Sequence, residues 1–257
     1  MKGYIMLSEG RSGSNWLGSM ANTTKKLGHM TEWLGKEYHD KNIDQYTVDE
    51  FVGMVMGKAV SENGRFAIKI FPRHIHYVNS RLGFDFIKKC IAEHETKVIF
   101  LTRRDTFAQA ISFVRGIQTR QWTSRKEKQG REEYDFDALC RAYFYVSRSN
   151  QYWDAYLGVN EMDHERFVYE DLLSDPTPLL ELIATALDVQ EKLEWNTDLK
   201  IQRDGKSKEW LDRFREDVKY KNVVSLSGSF GAFQSFGKSP SKNKLRFSTR
   251  KLKKLFK

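Results

Sequence analysis

The chain has 257 residues, 40% hydrophobic and 13% aromatic with four prolines, a composition that can bury a large core and excludes a disordered polymer. Its 43 basic and 34 acidic residues sum to +9, yet Asp217 is the last acidic residue and eleven basic ones lie beyond it, which leaves residues 1–217 at −2. A basic body built for nucleic acid is thereby disfavoured, and the excess charge belongs to a C-terminal tail.

In chain order, apolar β-prone runs occur at 4–7, 66–71, 97–102 and 166–169. Each is short and nearly continuous, as strands buried on both faces of a parallel sheet are. Helical patterns lie between them at 14–26, 48–60, 84–93, 106–118, 136–156 and 178–187. Such alternation predicts an α/β sandwich with right-handed crossovers and its ligand at the carboxyl ends of the strands. Residues 119–135 are charged and aperiodic and read as a loop or lid. The expected organisation is one domain over 1–222, then a Ser/Gly/Phe-rich linker and basic tail over 223–257.

The termini and cysteines add exclusions. The N-terminal apolar run is too short for a signal-peptide core, and no run approaches the ~18 residues of a spanning helix. Cys90 and Cys140 match no zinc or CxxC spacing and read as buried thiols of a reducing cytosol. His74 and His76 form one H-x-H without a third ligand, which is usually capping or surface chemistry, so no metal is assigned.

The first strand runs into Ser8-Glu9-Gly10-Arg11-Ser12-Gly13-Ser14-Asn15 and then a helix. Small residues at a helix N-terminus suit a phosphate, with Arg11 supplying charge and Ser12, Ser14 and Asn15 as donors. Many Gly/Ser turns bind nothing, and this one lacks the Lys of a Walker A loop. A second anion site is expected after the third strand, where Arg104 precedes Ser112 by eight residues. The bland alternative has Asp105 capping the helix and the arginines solvated. Two such sites on one sheet edge suggest a nucleotide bearing both 5′ and 3′ phosphates.

The loop and the Arg104–Ser112 spacing resemble the 5′- and 3′-phosphate elements of cytosolic sulfotransferases. Residues 28–34 (GHMTEWL), 109–122 (QAISFVRGIQTRQW) and 207–214 (SKEWLDRF) resemble, more narrowly, the bacterial trehalose 2-sulfotransferase family. The likeness runs from residue 3 to about 217. It implies a P-loop-like three-layer sandwich and, as co-substrate, 3′-phosphoadenosine 5′-phosphosulfate. Gly10, Arg11, Ser12, Gly13, Ser14 and Asn15 would hold the 5′-phosphosulfate, although the family usually has Thr at Asn15. Arg104 with Ser112 would hold the 3′-phosphate, and Lys206 would help close over the nucleotide. Glu32 aligns with the general base. Lys69, a charge in an apolar strand, faces either the sulfuryl group or solvent at a sheet edge.

The implied partner is a saccharide or glycolipid acceptor, met by Trp33, Glu37, Gln118, Arg120 and Trp122, with Tyr38 and Phe71 beside them. The implied location is the cytoplasm. The tail over 238–257 suits peripheral contact with anionic lipid at the inner face of the membrane, and a homodimer is a further expectation. The competing readings are a polyanion or nucleic-acid binder working through its tail, and a metal-dependent P-loop kinase.

Overall fold

The computed structural model describes residues 1–200, 202 and 204–220; the basic tail and the proposed boundary at 222/223 lie outside them. Strand β1 (Lys2–Leu7) leads through helix α1 (Ser14–Thr23) and helix α2 (Val48–Ala59) to strand β2 (Arg65–Ile70). Helices α3 (Pro72–Leu82) and α4 (Phe86–Glu93) follow, then strand β3 (Glu95–Thr102) and helix α5 (Thr106–Thr119). Helix α6 (Phe136–Val159), strand β4 (Glu165–Val168) and helices α7 (Tyr169–Leu172), α8 (Thr177–Ala186) and α9 (Gly205–Tyr220) complete the order.

The four strands form one parallel sheet in the order β2-β1-β3-β4. Alternation along β1 separates two cores. Ile5 and Leu7 join Ile68, Ile70 and Phe100 under α2, α3, α4 and the Trp153 end of α6. Tyr4 and Met6 join Ile99 and Leu101 under α1 and α8. Both faces of the sheet are therefore covered, which is why its strands read as continuous apolar runs, and the three-layer α/β sandwich stands as expected. A third cluster, Phe113, Val114, Leu139, Trp210 and Phe214 among its members, ties α5 and α6 to α9.

The chain leaves β1 toward β2 and later returns to β1's other side as β3. That switch point opens a crevice at the carboxyl ends of β1 and β3, where ligands of open α/β sheets bind. Among the described residues no helix is long and apolar enough to cross a membrane, and no group of three His, Cys, Asp or Glu side chains is placed to hold a metal. Cys90 and Cys140 are buried and form no disulfide, and burial pushes the Cys90 thiol up to about 12.

Candidate functional site

The loop after β1 is fixed from below. Trp153 Nε1 donates to the Ser8 carbonyl at 3.0 Å, Gln109 Nε2 to that of Gly10 at 2.9 Å, and Arg103 to that of Arg11 at 3.1 Å. Arg11 and Gly13 take left-handed backbones, with φ of 66° and 89°. Only glycine suits the latter position, since a Cβ there would lie 2.2 Å from the Tyr169 ring. Helix α1 then opens with no side-chain cap and no acidic residue in its first turn. Its orphan N–H groups and the positive end of its dipole are therefore left for an anion.

The loop borders a cleft of about 1390 Å³. Gly10, Arg11, Gly13, Ser14 and Asn15 line it on one side, Glu32, Glu37 and Lys69 on a second, and Ser112, Arg120 and Trp122 on the lid side. Arg11 spans the cleft: its Nε donates to Ser112 Oγ at 2.7 Å, NH1 to the Trp122 carbonyl at 2.6 Å and NH2 to Gln202 at 2.7 Å. Burial, with Arg103 nearby, pulls Arg11 down to about 10, so it stays cationic at neutral pH.

Glu32 reaches the site through a single bridge to the edge of β2. Thr31 pairs with Ile68, and the Lys69 N–H donates to the Thr31 carbonyl at 3.0 Å. Glu32 Oε1 then lies 3.1 Å from Lys69 Nζ, while Oε2 lies 3.3 Å from Arg73 and 3.7 Å from His74 Nε2. The Lys69 ammonium also donates to Asn15 of the loop. The Lys69 side chain is 4% exposed, so it points inward and does not snorkel; burial lowers its pKa and Glu32 opposes that shift. His74 is buried, and burial with Arg73 beside it holds its pKa well below the ordinary value; it is neutral. Its Nδ1 accepts the Phe71 N–H at 3.2 Å, which makes it a capping residue of α3.

Five sequence-predicted residues sit outside the cleft lining. Arg104 is 62% exposed and turns onto Asp171, at 2.6 and 2.8 Å, so the Arg104–Ser112 clamp is not assembled. Arg103 faces the cleft in its place. Trp33 packs against the α2–α3 core, with Nε1 donating to the His29 carbonyl at 2.6 Å, and it leaves the cleft face to Tyr38. The Gln118 carboxamide exchanges hydrogen bonds with the Glu133 backbone, at 2.8 and 3.1 Å. Lys206 donates to the Glu132 carbonyl at 3.1 Å, and Ser12 lies beneath the loop with its side chain buried.

Other cleft residues were not singled out from sequence, namely Trp16, Arg73, Arg103, Tyr145 and Tyr169. Arg103 could have been found from its place at the end of β3. Trp16 follows the loop directly on α1; Arg73, Tyr145 and Tyr169 carried no local signal, because α3, α6 and α7 bring them in from distant parts of the chain.

A family model described as "Sulphotransf: Stf0 sulphotransferase" matches residues 79–217. The chain is 28% identical over 123 residues to a protein named trehalose 2-sulfotransferase from Mycolicibacterium smegmatis, covering 47% of this chain and 46% of that one. It is 24% identical over 127 residues to the Mycobacterium tuberculosis protein of the same name, covering 49% and 48%. It thus spans about half the length of the curated relatives it matches. A sulfotransferase domain from the curacin biosynthetic pathway superposes with a TM-score of 0.43 at 14% identity, over 86% of this chain and 99% of that one. With the family model covering more than half of its residues, the chain belongs to the Stf0 sulphotransferase family.

Proposed function

We propose that the protein transfers a sulfuryl group from 3′-phosphoadenosine 5′-phosphosulfate to a hydroxyl of a saccharide or glycolipid, with Glu32 as general base. The observation that carries this reading is the meeting, in one cleft, of an uncapped helix N-terminus with the Glu32–Lys69 pair. The family match and the names of the relatives support the donor and acceptor classes.

In this reading the α1 terminus, Ser14 and Asn15 bind the 5′-phosphosulfate. Arg103, Ser112 and the span of Arg11 bind the 3′-phosphate end. Glu37, Arg120 and Trp122 line the acceptor's side. The acceptor oxygen forms a bond to sulfur as the bond from sulfur to the 5′-phosphate oxygen breaks. The hydroxyl proton passes to Glu32, and adenosine 3′,5′-bisphosphate leaves. Fixed donors at the loop stabilise the charge growing on the leaving phosphate, and a carboxylate within reach raises the nucleophilicity of a weakly acidic hydroxyl.

Glu32→Gln keeps a carboxamide oxygen for Lys69 and removes the proton acceptor. The variant is expected to bind adenosine 3′,5′-bisphosphate like wild type and to lose about 10²–10⁴ in turnover. The check is calorimetry together with labelled-sulfate transfer to trehalose and a panel of saccharides and glycolipids. Wild-type turnover by the variant would reject Glu32 as the base. No transfer by wild type to any acceptor, with no affinity for the bisphosphate, would reject the function.

A further inference from the structure

Arg73 joins two carboxylates at the mouth of the cleft. Its NH2 lies 3.3 Å from Glu32 Oε2, and its NH1 lies 3.0 Å from Glu9 Oε1. The Glu9 side chain is fully buried, and its Oε1 also accepts the Gly10 N–H at 2.7 Å. The Arg73 guanidinium stacks over the Phe71 ring at 4.4 Å, which fixes the plane of the fork. On the other side of Glu32, Lys69 continues to Asn15. The resulting chain, Glu9–Arg73–Glu32–Lys69–Asn15, starts at the entrance of the phosphate loop and returns to it at the first turn of α1. Its four charged members sum to zero, so deleting any one leaves a buried or half-buried charge uncompensated.

We propose that Arg73 is a positioning residue that holds Glu32 against the donor loop, with Glu9 as its anchor. This rests on the reading of Glu32 as the base. An ammonium has three donors, and Lys69 serves Asn15 and Glu32 with two of them; a sulfuryl group in the loop would take the third and draw the ammonium toward the donor and away from Glu32. Arg73 lies at the cleft mouth, where its second nitrogen is occupied by Glu9 and a ligand cannot easily recruit it. It is the tether that keeps the carboxylate aimed when Lys69 turns to the donor. A misplacement of about 1 Å at a reacting group costs on the order of a hundredfold in rate, so a lost tether should appear in kcat and spare donor affinity.

The test compares Arg73→Gln, Arg73→Lys, Glu32→Gln and the Arg73→Gln/Glu32→Gln double variant, with trehalose as acceptor probe. Arg73→Gln is expected to lower kcat roughly ten- to a hundredfold, leaving the donor KM and the Kd for adenosine 3′,5′-bisphosphate within about twofold. Arg73→Lys is expected to recover most of the rate, and the double variant to be no slower than Glu32→Gln alone, because Arg73 acts through Glu32. A kcat for Arg73→Gln within twofold of wild type, or equal further slowing on top of Glu32→Gln, overturns the inference while leaving the base assignment intact. Wild-type turnover by Glu32→Gln overturns that assignment itself. Urea unfolding of the same set needs no acceptor: non-additive losses in the folding equilibrium support the Arg73–Glu32 link, and additive losses overturn it.

Discussion

Arg103 and Arg104 are sequence neighbours with opposite fates. Asp105 caps α5 by accepting the Ala108 N–H at 2.9 Å, so both arginines precede the helix and neither shares its phase with Ser112. Counting eight residues from Arg104 to Ser112 applied helical periodicity across a helix start, where it has no force. Arg104 instead forms an exposed pair with Asp171, which solvent screens to little net worth. Arg103 is 9% exposed at its side chain, holds the Arg11 carbonyl and borders the cleft. Charge-assisted hydrogen bonds contribute roughly 1.5–3 kcal/mol, so Arg103→Ala should weaken adenosine 3′,5′-bisphosphate binding by about tenfold or more. Arg104→Ala should change it by less than about twofold. Calorimetry on the two variants separates them, and a larger loss from Arg104→Ala would restore the sequence-based pairing.

At the scale of elements, strands and long helices were legible within a few residues because burial on both sheet faces wrote them as apolar runs. Helix α3 was not: of its eleven residues only His74, Ile75 and Val78 are buried, too few to mark a period. Helix α9 buries only Trp210 and Phe214, one turn apart. Helix α1 ends at Thr23 because Lys25 takes φ 57° just beyond it. The segment read as a lid does cover the cleft through Trp122, and its fastening was invisible in sequence because the partners are far apart. Arg115 of α5 meets Glu132 of the lid at 2.8 Å and Asp204, before α9, at 2.7 Å. Lys128 adds a contact to Glu132 at 3.0 Å. The Arg115 and Glu132 side chains are each 9% exposed, and breaking a buried pair costs about 3–5 kcal/mol. Arg115→Met should therefore release the lid before the rest of the fold. Trypsin is expected to cut at Arg125, Lys126 or Lys128 at least about tenfold faster than in wild type, with the sheet and its flanking helices left as a resistant core. Unchanged cleavage would mean that other contacts hold the segment.

For the whole molecule, the near-neutral body over residues 1–217 separates two sources of acid sensitivity. Below pH 4 its 34 carboxylates protonate and its 32 cations remain, so general self-repulsion grows whatever the lid does. The lid fastening adds a specific contribution. Its hydrogen bond to Arg115 holds the Asp204 carboxyl below the usual range. Burial would raise Glu132, but Lys128 and Arg115 outweigh it and the carboxyl is lowered. A carboxylate with a depressed folded pKa contributes stability that is fully present above its unfolded value of about 4, and that is lost as pH falls through the folded value. Wild type should thus lose stability steeply from about pH 4 downward, read as the urea midpoint between pH 7 and pH 3. Arg115→Met should begin less stable at pH 7 and show a shallower fall, because Asp204 loses its cation and titrates nearly alike in both states, while Lys128 still holds Glu132. Parallel curves for the two proteins would assign the acid loss to self-repulsion alone and remove the fastening from the account.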